Sequence, residues 1–337
     1  MFACRRVPSK KTTRYWESAA IPELYEWFAT EVQPSSPAWA RVSRQVASTP
    51  SIAARLDALP AAARQPNLFL GACKFLGGPL DADPSLPDWV ASHWPQVERL
   101  VTTRFTQTNE VGRCAVIAPV LASLPQPIAL IEVGMSAGLG LFPDLYAYRW
   151  TLEDGTVVTG GTPGEVTIEC RVTGTGLPLE VPNVAWRAGI DRNPLDPEDP
   201  DDAAWLRALV WPGEEVREQR LAAALRTVAG HDALRVAGDI TDALPGVVAA
   251  APRDATVVVV HSATLAYLPR DARMRHLELL SELGVHWVTN EGTKVVPAVR
   301  DVLPAGFTDD PRPCFVLALD GVPLARVGSH GQWLDWL

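Results

Sequence analysis

The chain has 337 residues, 47% apolar and 20% charged, a length that suggests two domains or one large α/β domain with an extension. Thirty basic side chains against 39 carboxylates leave a formal net charge of -9, so counterion release against nucleic acid or anionic lipid has little to work with, and both partners are set aside. The five cysteines (Cys4, Cys73, Cys114, Cys170 and Cys314) are odd in number, scattered and without a CxxC pair, which argues against a disulfide framework and a cysteine-rich zinc centre. No metal is expected.

No apolar run approaches the ~18 residues needed to span a bilayer. The basic stretch Met1–Lys11 lacks the apolar core of a signal peptide, so the expectation is a cytoplasmic protein acting on a small molecule. The oligomeric state is not legible.

From Trp16 to about Ser123 the apolar residues fall at helical spacing with breakers between the runs, and this third reads as all-helical. Leu24, Trp27, Phe28 and Val32 share one face; Val42, Val46, Ile52, Leu56 and Leu59 continue the pattern around Pro50. A further helix is predicted from Asn109 to Leu124, with Asn109 as N-cap and Glu110 in the first turn, either closing over a ligand or forming an (i, i+3) pair with Arg113.

The pattern changes at Pro125-Gln126-Pro127. Strands are predicted at Ile128–Val133, Asn183–Ile190, Ala233–Val236, Thr256–His261 and Val285–Thr289, alternating with helices, the signature of a parallel sheet. Cys314–Leu319 and Val322–Val327 flank Asp320-Gly321, a strong hairpin signal. Between residues 145 and 182, six glycines surround two alternating runs, read as a small β insertion. The expected organisation is a helical domain over 1–125, covering the carboxyl ends of the strands, and an α/β domain over 126–337.

The sharpest local motif runs from Ile131 to Gly140, follows a strand and is expected to lead into an amphipathic helix. Gly134-x-Ser136-x-Gly138 fits the nucleophile elbow of an α/β-hydrolase, with Ser136 as nucleophile and His261 or His330 as base. Such an elbow needs several strands before it, and here the preceding 125 residues read as helical. A nicotinamide fingerprint fails at Pro143, where its last glycine should stand. The plain alternative is a turn that uses glycine only for tight packing.

Glu132-x-Gly134-x-x-x-Gly138 also resembles motif I of the class I S-adenosylmethionine-dependent methyltransferases. The resemblance implies that Glu132, Gly134, Ser136 and Gly138 line the cofactor, with the strand-end carboxylate on its ammonium side. The acid after the second strand, Asp191, resembles the residue that accepts both ribose hydroxyls. Asp154 has the more conventional spacing but lies in Glu153-Asp154-Gly155, an ordinary turn sequence. Asp239 and Ile240 resemble the adenine-contacting pair after the third strand; in isolation Asp239 reads as a helix cap. His261, at the end of the fourth strand, would face the transferable methyl and remove a proton from the acceptor, with Tyr267 and Glu291 orienting it or substituting as base. Asn290 is a further candidate for substrate contact.

Gln107–Cys114, Glu132–Leu139, Arg187–Asp191, Trp205–Pro212 and His261-Ser262 together resemble an uncharacterised bacterial family of unknown function with a class I methyltransferase-like core. The resemblance implies a mostly parallel, Rossmann-like sheet ending in an antiparallel hairpin, with S-adenosylmethionine as cofactor and methyl transfer to oxygen or nitrogen of a small or medium acceptor. A serine hydrolase using Ser136 and a non-catalytic binding module on the same fold stand as alternatives.

Overall fold

The computed structural model describes residues 19–310 and 312–337. Met1–Lys11, Cys4 and Trp16 lie outside them. The described residues divide into two compact units: those up to Thr108 with Ala204–Gln219, and Asn109–Ala203 with Arg220–Leu337. The helical unit thus ends earlier in the chain than residue 125 and takes in a later segment.

That unit holds α1 (Ile21–Val32), α2 (Pro37–Ser48), α3 (Pro50–Asp57), α4 (Pro66–Phe75) and α5 (Leu86–Thr103). Each carries proline at its first or second position, where the missing N–H costs no helical hydrogen bond and the ring pre-sets φ. The later segment returns to this core through Trp211, whose ring stacks on Trp39 at 6.5 Å and meets Phe28 edge-on at 6.2 Å. Ser36 Oγ donates to Pro212 O at 2.6 Å, and Lys74 Nζ donates to Val210 O at 2.8 Å.

The second unit opens with a 3-10 turn at Val111–Arg113 and α6 (Cys114–Ala122). The expected cap shifts by one residue: the Glu110 side chain, rather than that of Asn109, accepts from Gly112 N, at 2.9 Å, while Asn109 Nδ2 donates to Met135 O. Then come β1 (Ile128–Val133), β2 (Ala147–Leu152), β3 (Val157–Gly161), β4 (Thr167–Thr173), β5 (Val184–Asp191), α7 (Pro200–Ala208) and α8 (Glu215–Val228), the last two running through the helical unit's segment. There follow β6 (Leu234–Ala237), α9 (Ile240–Ala250), β7 (Thr256–Ser262), α10 (Arg270–Leu283), β8 (His286–Gly292) and α11 (Pro297–Arg300). The chain closes with β9 (Cys314–Leu319), β10 (Val322–Gly328) and β11 (Trp333–Trp336).

All eleven strands join one sheet in the order β3-β2-β4-β11-β10-β9-β8-β7-β1-β5-β6. β6, β5, β1, β7 and β8 are mutually parallel. β9 and β10 follow antiparallel, joined at Asp320-Gly321, whose φ values of 49° and 86° are those a two-residue type I′ hairpin requires. No strand precedes β1 among the described residues.

The residue 145–182 excursion is a β insertion made of β2, β3 and β4, and it joins the main sheet because β4 pairs in parallel with β11. One expectation is corrected: no α-helix follows the glycine turn, where Leu139–Leu141 and Pro143–Leu145 form two 3-10 turns that lead into β2. Pro143 pushes Phe142 out of helical geometry, to φ -119° and ψ 43°.

Side chains alternate across the sheet, and the register sorts them into two faces. Ile131, Val133, Ala188, Ile190, Val259, Val316 and Ala318 pack with Ile240, Leu244 and Leu280 of α9 and α10 in one apolar core. Val133 is paired with His261, and His261 with Thr289, so these share that face. Glu132 is paired with Gly189 and Val260 and points to the other face.

Candidate functional site

The strand order reverses at β1, which has β5 on one side and β7 on the other. In open parallel sheets, ligands bind beyond the carboxyl ends of the strands at such a switch point. The chain leaves β1 through a tight turn in which Gly134, Ser136 and Gly138 all have positive φ (73°, 53° and 75°). Glycine at 134 is required twice over, since a Cβ there would overlap Thr264 Oγ1 beyond β7. The Gly134 N–H donates to Ile190 O at 2.8 Å, holding the turn against β5.

On the Glu132 face the strand ends bring together Glu132, Asp191, Ser262 and Asn290. Asp191 accepts the Ser136 N–H on Oδ2 at 2.8 Å and the Asn193 N–H on Oδ1 at 2.9 Å, leaving lone pairs on both oxygens. Glu132 lies against Gly140, where an added Cβ would fall 2.5 Å from Oε1. The missing side chain at 140 is what gives this carboxyl its space. Glu132 Oε2 is sealed from solvent without a hydrogen-bond partner, and burial pushes the carboxyl up to about 8; Arg113 opposes that shift and the Asp191 carboxylate adds to it. Ser262 Oγ accepts from Asn290 Nδ2 at 3.0 Å. Arg113 reaches the same rim, donating from Nη1 to Ser262 O at 3.2 Å and from Nε to Ser329 O at 2.9 Å.

The remaining sequence candidates lie elsewhere. His261 is fully buried on the opposite face, its ring 5.8 Å from His276 and 5.7 Å from Trp287, with neither nitrogen hydrogen-bonded. Trp287 is paired with Val259, two residues before His261, so the ring contact lies on the side of His261 away from the rim. Desolvation, reinforced by His276, drives its proton affinity well below the ordinary histidine value. The expectation that His261 takes a proton from an acceptor is therefore corrected: period-two alternation turned it into the core. Ile240 likewise packs in that core, 6% exposed, and has no face left for an adenine ring.

Asp239 caps α9, accepting the Thr241 N–H at 3.0 Å, and pairs with Arg192 at 2.7 Å. Asp154 occupies an exposed turn and accepts the Thr156 N–H at 2.8 Å. Glu291 is 2% exposed and accepts the N–H groups of Thr264 and Leu265 on Oε1 at 2.7 and 2.8 Å, bracing the turn that presses on Gly134. Burial raises its carboxyl to about 7 against the pull of those bonds and of Arg113 and Arg273. Tyr267 stands in the following 3-10 turn, 64% exposed.

Ser136 Oγ is sealed and has no hydrogen-bond partner, so no histidine activates it as a nucleophile. Sequence reasoning missed the long-range partners of the rim. Glu110, 1% exposed at its side chain, accepts from Arg220 Nη2 at 2.8 Å, and its Oε2 stands 3.5 Å from His330 Nδ1. Periodicity carries no trace of pairings between residues so far apart in the chain.

Among the described residues no group of three or more His, Cys, Asp or Glu side chains is placed to hold a metal ion, and no helix is long and apolar enough to cross a membrane. The chain belongs to the family described as "Uncharacterized protein conserved in bacteria (DUF2332)", whose family model matches residues 22–336. No curated protein and no solved structure matches it.

Proposed function

We propose that the strand-end cleft binds S-adenosylmethionine and that the protein transfers its methyl group to oxygen or nitrogen of a small or medium acceptor, on a class I methyltransferase-like, Rossmann-like core. The observation that carries this reading is the convergence of Glu132 and Asp191 from adjacent strands on one tight glycine turn at the switch point. A sealed carboxyl that Gly140 leaves unhindered suits an ammonium group, and a carboxylate with two remaining lone pairs suits a vicinal diol. The turn opens into 3-10 geometry, so no α-helix N-terminus stands there for a pyrophosphate, which favours a sulfonium nucleoside over a dinucleotide.

When bound, the cofactor supplies an electrophilic methyl on a positively charged sulfur. The chain's own part is to hold the amino-acid end with Glu132 and the ribose with Asp191, using the rigid Gly134–Gly138 turn as the floor. Asp239 and Ile240 are committed to the α9 cap and the core, and the adenine contact is not assigned to them. The surplus of carboxylates supports a small-molecule acceptor over nucleic acid or anionic-membrane partners. Calorimetric titration of the purified protein with S-adenosylmethionine and S-adenosylhomocysteine tests the reading; no binding at millimolar ligand overturns it.

A further inference from the structure

We infer that His330, backed by the buried carboxylate of Glu110, is the proton acceptor of this site; the inference rests on the methyl-transfer reading. β10 is antiparallel to β9, which is antiparallel to β8, so β10 runs in the same direction as β8 and its carboxyl end lies on the rim that carries Glu132, Ser262 and Asn290. Ser329, His330 and Gly331 follow directly.

The loop is fixed at several points. Arg113 clamps it to the end of β7 through Ser329 O and Ser262 O. A Cβ on Gly112 would overlap His330 O, and one on Gly331 would overlap Gly112 O, so two glycines allow the loop and the turn before α6 to meet backbone to backbone. His330 N donates to Gln332 Oε1 at 3.0 Å.

Held this way, the imidazole has Nδ1 at ion-pair distance, 3.5 Å, from Glu110 Oε2, with no hydrogen bond yet formed between them, while its side chain remains 39% exposed. Glu110 is itself positioned by Gly112 N and Arg220. Among the described residues, Glu110 faces the ring, Arg220 bonds the far oxygen of Glu110, and Arg113 bonds the neighbouring Ser329 carbonyl. A carboxylate behind Nδ1 selects the tautomer with the proton on Nδ1, which leaves the Nε2 lone pair as the acceptor. This is the orienting role that Glu110, a positioning residue, supplies.

In the step, an acceptor X–H gives its proton to Nε2 as the X–C bond forms. With S-adenosylmethionine bound, the methyl would leave with the S–C electron pair remaining on sulfur, and His330 would end as the imidazolium that carries the positive charge. X is an oxygen or nitrogen that must lose a proton to remain neutral, such as a hydroxyl or an amide.

The test reads the tautomer by long-range ¹H–¹⁵N correlation of the histidine rings in the wild-type protein, with His330→Asn identifying the signal. A bare Nε2 with Nδ1–H in the wild type, changing to a mixture in Glu110→Gln, is the expected result. Carbethoxylation of His330 by diethylpyrocarbonate, mapped by mass spectrometry, should slow at least tenfold in Glu110→Gln. Because Glu110 also caps a turn, the wild-type spectrum decides alone if that variant fails to fold: a predominant Nε2–H tautomer overturns the inference. Calorimetry with S-adenosylhomocysteine separates the two ideas. A bare Nε2 without cofactor binding overturns the methyl-transfer reading and keeps the dyad; binding with an Nε2–H tautomer overturns the dyad alone.

Discussion

The backbone N–H of Ser136 donates to Asp191 Oδ2 at 2.8 Å, tying the turn after the first strand to the end of its neighbour. Asp191 thus orders the glycine turn at the switch point of the sheet. Replacing it with alanine leaves two N–H groups without acceptors, at a cost of about 1–3 kcal/mol. Asp191→Ala should weaken S-adenosylhomocysteine binding at least tenfold and lower the denaturant midpoint, whereas Asp154→Ala should change neither. Equal effects of the two variants on binding would contradict the assignment.

Glu132 carries a pH signature. Its folded-state value of about 8 lies above the ordinary 4.5, so the folded protein holds this proton more tightly than the unfolded chain. Its contribution to stability is full below pH 4.5 and is lost as pH rises to about 8. Glu132→Gln should therefore match the wild type in acid and be more stable at pH 8, on the order of 2–4 kcal/mol. Binding a cationic ligand should release close to one proton near neutral pH, read by calorimetry in buffers of different ionisation enthalpy.

Gly134→Ala meets both a left-handed backbone and the Thr264 side chain. A destabilisation of about 2–4 kcal/mol is expected, from backbone strain and overpacking together. Adding Thr264→Ala should recover the steric part and leave the strain. A strictly additive double-mutant cycle in chemical denaturation would show that the two residues do not touch.

The buried His261–His276 pair works in the opposite pH direction. Burial lowers His276 from 6.5 to about 4, so stability present above pH 6.5 is lost as pH falls toward 4. His276→Leu should flatten that decline by on the order of 2–3 kcal/mol. Thermal melts of both proteins between pH 4 and pH 7 check this; parallel curves would remove the pair as a cause of acid sensitivity.

Local patterning made much of the sheet legible. Ile128–Val133 and Cys314–Leu319 stand where their apolar runs begin and end, and Asp320-Gly321 announced the hairpin. β11 was missed because Trp333–Trp336 is four residues with no alternation to read, and it forms only where β4 and β10 offer edges on both sides. Strand-end chemistry was harder. His261 and Asn290 both close strands with polar residues, yet a strand end says nothing of which face a side chain takes until the register is known. The strand-end positions of Glu132 and Asp191 could be read, the first because the glycine turn follows β1 directly and the second because Asp191-Arg192-Asn193 breaks the apolar run of β5. Arg113 and Ser329 are 216 positions apart, and nothing local encodes such a pairing.

The parallel pairing of β4 with β11 also bears on how the chain is made. Thr173 bonds Asp335 at 2.7 Å across 162 residues, and among the described residues β11 alone joins β2, β3 and β4 to the rest of the sheet. At ~5–20 residues per second, the ribosome needs on the order of ten to thirty seconds to deliver that partner after β4 emerges. For that interval β4 keeps an unpaired edge. An unpaired strand edge is a template for another chain, so the nascent protein is open to strand exchange in that window.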